Sequence, residues 1–221
     1  MGTTTGTTMA TTGSMKLHAP ACERNRAPIL EVLRPRFASY GRPAVVLEIA
    51  CGTGQHCGFL ARHLEPHVSK WIPTDLDMDE RKAASVAAWA DGEGSSSVVD
   101  LPARELDTRT PNWAGAFESV THVYIANMTH ISPWASTVGL MEGAGSAIAR
   151  GGSLFVYGPF FGTESGKAPS NLQFDQSLRA RDAEWGIREI ARVEAEANKH
   201  GLALEETVEM PANNLILVFK K

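Results

Sequence analysis

The segment AVVLEIACGTGQ, residues 44–55, constrains the fold more than any other part of the chain. The apolar run from Ala44 to Ala50 reads as a buried strand interrupted by one carboxylate, Glu48. It breaks at Cys51-Gly52-Thr53-Gly54, and helix-forming sequence resumes at Gln55. A buried strand that turns at glycine into a helix offers backbone N–H groups and bare main chain to a ligand, because glycine has no Cβ. Such a unit is nucleotide-binding and belongs to the α/β class, with helices on both faces of a mostly parallel sheet.

Two features bear on which nucleotide. The dinucleotide fingerprint G-x-G-x-x-G/A needs a small third residue, whereas Gly52 and Gly54 are followed by Gln55, His56 and Cys57. Glu48 lies four residues before the first glycine, where a carboxylate attracts the ammonium and sulfonium of S-adenosylmethionine and repels a pyrophosphate. These favour S-adenosylmethionine, its methionine end held by Glu48 and the Gly52, Thr53 and Gly54 backbone. Asp75, at the end of a second strand over 69–74, is the expected partner of the ribose hydroxyls, with Asp77 as the alternative. That carboxylate serves dinucleotides equally well.

Net charge of −4 and a pI near 6.0 give no basic field for nucleic acid or an anionic membrane. No apolar run approaches the roughly 18 residues of a membrane span. Cys22, Cys51 and Cys57 are an odd set without a disulfide framework, and a cytoplasmic location is expected. Cys51 and Cys57 with His63 and His67 lack a C-x-x-C pair, so no metal is expected. Residues 1–15 are Thr- and Gly-rich and are expected as a disordered tail, leaving residues 16–221 as one domain.

That domain opens with residues 18–37, in which Ile29, Leu30, Val32, Leu33 and Phe37 fall at helical spacing, with Pro28 in the first turn and Pro35 ending or kinking the helix. Glu23, Arg24, Asn25 and Arg26 precede it, either as a solvated helix start or as a lid in which an arginine pairs with a carboxylate. A helix carrying Phe59, Leu60, Leu64 and Val68 follows the glycine turn. The third strand falls in VVDLPARELD and ends at Asp100 or Asp107. Strand four, 120–126, delivers Asn127 and His130 to its carboxyl end, where reactive chemistry collects in open parallel sheets. His130 reads as a general base or as a capping histidine. Strand five, 153–157, ends at Tyr157, and Phe160 and Phe161 follow as candidate pocket walls. Arg179, Arg181, Trp185 and Arg188 fall on helical sequence, as an anion reader or a salt-bridged face. No N-P-P-Y tetrapeptide is present, which disfavours methylation of adenine N6 or glutamine. LALEETVEM and NNLILVFKK close the chain as an antiparallel hairpin, a plan that differs from ordinary dinucleotide folds.

The combination ACERNRAPIL, LEIACGTGQH, ANMTHISPW, YGPF, SNLQFDQSLRARDAEWGIRE and MPANNLILVFKK resembles the methyltransferase-like protein 26 family, over roughly residues 18 to 221. The resemblance implies a class I Rossmann-like methyltransferase fold, with a seven-stranded sheet ending in an antiparallel hairpin. It implies binding of S-adenosylmethionine, brings Glu23, Arg24 and Asn25 into the site, and makes Asp107 the end of strand three and an adenine contact. Cys51 stands where relatives often carry a smaller residue. The resemblance brings no substrate; acidic charge and a short chain without a separate recognition domain favour methyl transfer to an O, N or S atom of a small-molecule acceptor, and His130, Asn127 and Tyr157, at carboxyl ends of strands, are expected at the reaction zone. An NAD(P)-dependent oxidoreductase and a catalytically silent S-adenosylmethionine-binding subunit are the other two readings.

Overall fold

The computed structural model describes residues 15–221, so the tail expected at 1–15 lies, apart from Met15, outside the described residues. The first element, α1 (Pro20–Ser39), begins with Pro20, whose missing N–H costs nothing in a first turn. Pro28 and Pro35 therefore sit inside the helix, contrary to expectation, and Glu23 to Arg26 are helical. The helix runs on through both prolines because Ile29, Leu30, Leu33 and Phe37 dock a continuous buried stripe.

The chain continues as β1 (Ala44–Ile49), α2 (Gln55–His63), β2 (Val68–Asp75), α3 (Glu80–Glu93) and a two-residue β3 (Arg104–Glu105). Val68 thus opens β2 instead of closing the helix before it. Next come β4 (His122–Ala126), α4 (Trp134–Ala147), β5 (Ser153–Gly158), β6 (Phe160–Phe161) and α5 (Pro169–Arg181). β7 (Arg188–Glu189), α6 (Ile190–Lys199), β8 (Ala203–Met210) and β9 (Asn214–Lys220) complete it. Seven strands form one sheet in the order β3-β2-β1-β4-β5-β9-β8. β3 to β5 pair parallel and β9 runs antiparallel to both β5 and β8, as expected of the terminal hairpin.

Alternate residues of each strand face opposite layers. Val46, Tyr124, Phe155 and Val218 pack with α1, α2 and α3, while Leu47, Val123, Leu154 and Leu217 pack with α4 and α6. The third strand is shorter than its sequence suggests: Val99 makes only an isolated bridge to Trp71, and pairing resumes at Arg104 beyond Pro102. Phe160 is fully buried on the α4–α6 side, not in a pocket wall. Arg188 lies on β7, paired with Phe160, so the basic-aromatic cluster does not share one helix. Among the described residues no helix is long and apolar enough to cross a membrane.

Candidate functional site

The order β2-β1-β4 places the reversal of chain direction along the sheet beside β1, and a cavity of about 410 Å³ opens at the carboxyl ends of these three strands. Ala50 to Thr53 form one wall, Ala19, Ala21 and Cys22 of the α1 segment cover it, and Asp75 and Asp107 stand on the β2 and β3 side. The glycine loop divides its labour. Gly52 has φ +55° and open space where a Cβ would stand, so its main chain is bare toward the cavity. Gly54 has φ +87°, and a Cβ there would meet the Val86 backbone at 2.6 Å, so this glycine lets α2 close on α3. Gly58 does the same against Trp89, at 2.8 Å.

Of the residues expected from sequence, Gly52, Thr53, Asp75, Asp107 and Asn127 line the cavity. Asp75 accepts from the Gly52 N–H at 2.8 Å through one oxygen and from Lys82 Nζ at 3.1 Å through the other. Asp107 chelates Arg109, whose hydrogen bonds hold that carboxyl below the ordinary range. Asn127 adopts φ +59°, which asparagine tolerates, and turns the chain out of β4. Glu48 does not reach the cavity wall. Strand alternation turns it toward α1 and α2, where its Oε2 accepts from Trp71 Nε1 at 2.6 Å and burial pushes its pKa up to about 8. Arg24 is exposed on α1, Asn25 and Tyr157 lie behind the wall, and Gly54 faces α3. His130 is buried beneath Phe174 of α5, with ring centroids 5.6 Å apart, and its Nδ1 has no partner among the described residues. Burial, then the nearby Arg188 charge, lowers its pKa to about 4.

A family model described as "Protein of unknown function (DUF938)" matches residues 16–221. The chain belongs to the DUF938 family. Its fold is also that of solved methyltransferases. An O-methyltransferase family protein from Burkholderia thailandensis superposes with a TM-score of 0.71 at 14% identity, over 91% of this chain and 57% of its own. The human N-acetylserotonin methyltransferase, crystallised with S-adenosylmethionine, gives 0.65 at 14%, over 91% and 52%. An O-methyltransferase family 2 protein from Planctomyces limnophilus, crystallised with apigenin, gives 0.63 at 15%, over 93% and 63%. This DUF938 chain spans little more than half the length of these structures, and at such identity the likeness is one of fold: a class I methyltransferase fold.

Beneath the cavity the DUF938 chain carries a buried relay that the sequence did not announce. Tyr124 is fully buried and its hydroxyl meets His56 Nδ1 at 3.2 Å. His56 Nε2 meets Asn25 Oδ1 at 2.7 Å, and Asn25 also offsets part of the rise that burial imposes on the Tyr157 hydroxyl. Burial, then the Arg26 charge, lowers the His56 pKa to about 4, so the imidazole is neutral: it accepts from Tyr124 and donates to Asn25. Gln55 adds a second clasp on α1, its Oε1 accepting from the Ala19 N–H. Together the two residues fix the α1 wall to the glycine loop. The adjacency of Gln55-His56 to the G-T-G turn was the available signal, since α2 starts there. Arg188 was also missed in this role. Its guanidinium donates to the carbonyls of Thr129 at 2.9 Å and Glu184 at 2.8 Å and to that of Ser132, bracing the loop that carries His130. Cys22 and Cys51 line the cavity, and burial pushes the Cys22 thiol up to about 11 and Cys51 well above its ordinary value.

Proposed function

We propose that the protein is an S-adenosylmethionine-dependent methyltransferase acting on a small-molecule acceptor. The observation that carries this reading is the make-up of the cavity, with bare Gly52 main chain on one side and two carboxylates, Asp75 and Asp107, on the other. Ile49, Leu76, Leu106 and Met128 supply apolar surface between them, which suits a planar base between polar ends. The volume falls within the range of small-ligand sites. The motif resemblance to the methyltransferase-like protein 26 family supports the same cofactor, as do S-adenosylmethionine in the human fold relative and the O-methyltransferase identity of the other two.

In this reading Asp75 takes the ribose hydroxyls, Asp107 the adenine side, and the Gly52 to Gly54 turn the methionine end. S-adenosylmethionine supplies, when bound, an electrophilic methyl on sulfonium that an acceptor oxygen, nitrogen or sulfur attacks in line. The chain's part is chiefly positioning, which can lower such a barrier by several kcal/mol. Glu48, mostly protonated at neutral pH, braces Trp71 under the glycine loop instead of serving as a fixed anion. His130, neutral at pH 7, does not line the cavity and its Nδ1 is sealed, so in this reading it supports the reaction zone from beneath Phe174. A pKa near 4 suits that part better than that of a base that keeps its proton. Asn127 sits at the cavity edge to hold the acceptor, and Tyr157, its pKa raised by burial, stays a hydroxyl donor.

Calorimetric titration with S-adenosylmethionine, S-adenosylhomocysteine and NADH, repeated on Asp75→Ala, tests the reading. Both sulfur nucleotides are expected to bind, and the substitution to weaken them about 10–100-fold, the scale of a lost charge-assisted hydrogen bond. Binding of NADH alone would overturn it in favour of an oxidoreductase.

A further inference from the structure

We propose that a second hollow, between α5 and the β8–β9 turn, is an anchoring subsite for the acceptor that takes a neutral hydrogen-bond donor, such as a hydroxyl, carried on a flat apolar frame. The term acceptor rests on the methyltransferase reading; the chemistry of the hollow does not. The hollow measures about 330 Å³ and lies beside Pro159, just past the carboxyl end of β5, two strands from β1 in the sheet. Phe174 forms one wall, is 40% exposed, and stands edge-on to the buried His130 ring. The same aromatic thus borders both the hollow and the histidine assigned to the reaction zone.

Asn171, Asn213 and Asn214 all border this hollow, and each engages at least one amide N–H elsewhere. Asn171 Nδ2 donates to the Asn213 carbonyl at 3.1 Å, and Asn214 Nδ2 donates to the carbonyls of Pro211 and Ala212 at 3.1 and 3.2 Å. Because carbonyls only accept, these contacts fix which end of each amide is nitrogen. Asn213 Nδ2 is likewise engaged with Ser170 Oγ at 3.1 Å. Their Oδ1 atoms have no partner among the described residues, and Asn171 and Asn213 each keep a second amide N–H beside them. Asn171 is the telling case: it is only 5% exposed, yet its Oδ1 is neither bonded nor sealed, so it opens on the hollow.

Charge narrows the ligand further. At the unpartnered Asn171 Oδ1 the lone pairs oppose an anion. An ammonium would be favoured by them, but Asn171 lies in the first turn of α5, where the helix dipole is positive and disfavours a cation. A neutral O–H or N–H donor suffers neither penalty, and Phe174 and Pro159 offer it apolar flanks. The turn that presents these oxygens is itself constrained: Ala212 and Asn213 both sit at positive φ, +59° and +56°, a conformation that is costly for alanine.

The test uses the full chain saturated with S-adenosylhomocysteine, titrated with 4-fluorophenol and with 4-fluoroanisole, which keeps the ring but cannot donate. Fluorine NMR gives affinities, and side-chain amide shifts of Asn171 and Asn214 report the location. The phenol is expected to bind at least about five-fold tighter than the ether, the scale of one net hydrogen bond. Asn171→Leu should abolish that preference. Phe174→Ala, at a partly exposed position, should weaken both probes while leaving the melting temperature near that of the parent. Equal binding of the two probes, or a preference that survives Asn171→Leu, overturns the proposal. So does tighter binding of 4-fluorobenzylamine or 4-fluorobenzoate than of the phenol. If S-adenosylhomocysteine fails to bind while the phenol preference persists, the methyltransferase reading falls and the hydroxyl site stands. If the nucleotide binds and the preference is missing, only the subsite falls.

Discussion

Toward α4 and α6, β1 turns Leu47 and Ile49, β4 turns Val123 and Ile125, and β5 turns Leu154 and Val156, all apolar and buried. Toward α1, α2 and α3 the intervening positions mix apolar Val46 and Phe155 with Glu48 on β1, Tyr124 on β4 and Tyr157 on β5, equally buried but polar. His56, Asn25 and Trp71 join them. One sheet therefore separates a layer held by volume from a layer in which directed hydrogen bonds are added to volume, and the cavity lies at the rim of the second. The difference teaches where burial of polar groups is tolerated: each has a partner, because an unpaired one costs about 1–3 kcal/mol.

The largest effect that would break the comparison comes from the apolar layer. Phe219→Ala should cost about 3–5 kcal/mol in denaturant unfolding, because a fully buried ring leaves a cavity behind. It should leave nucleotide affinity of the folded fraction unchanged. Loss of affinity together with stability would show that the two layers are not independent.

A second test separates the layers by pH. Glu48 sits at about 8 against an ordinary 4.5, so its contribution to stability is complete below about 4.5 and is lost as pH rises through 8. His56 and His122 sit at about 4 against 6.5, so their contributions are present above 6.5 and are lost as pH falls through 4. Melting temperature should fall on both sides. Glu48→Gln, which keeps an acceptor for Trp71, should remove the alkaline fall and raise the melting temperature at pH 9 by about 2–4 °C per kcal/mol recovered. An unchanged alkaline limb would place the titrating group elsewhere. The smallest effect is that of Tyr124→Phe, about 1–3 kcal/mol, from leaving His56 Nδ1 buried without its donor. Nitrogen shifts of the His56 ring should report the change, and if they do not move, the relay direction is wrong.

Much of this was legible in the residues. The apolar, strand-like runs pointed to β1, β2, β4, β5 and the terminal hairpin, and the spacing from the glycine turn pointed to Asp75 at the cavity wall. The start of α1 was misread because Pro28 resembles a first-turn proline, whereas tertiary docking of the Ile29–Phe37 stripe carries the helix through it. β6 and β7 are two residues each, too short for any periodicity to show. Glu48 pointed away from the cavity by the same alternation that located β1, but a carboxylate near a glycine loop invites the ligand reading first. The cover over His130 comes from α5, far along the chain, and no local pattern encodes such packing.

The raised thiols have a consequence for the chemistry proposed. A sulfonium methyl donor is an alkylating agent, and thiolate is the strongest nucleophile a protein offers. Two cysteines, Cys22 and Cys51, stand in the wall of the cavity assigned to that donor. With Cys22 near 11, only about one molecule in ten thousand carries the thiolate at neutral pH, and Cys51 is held up in the same sense. The desolvation that makes this layer costly to assemble thereby guards it against methylating itself.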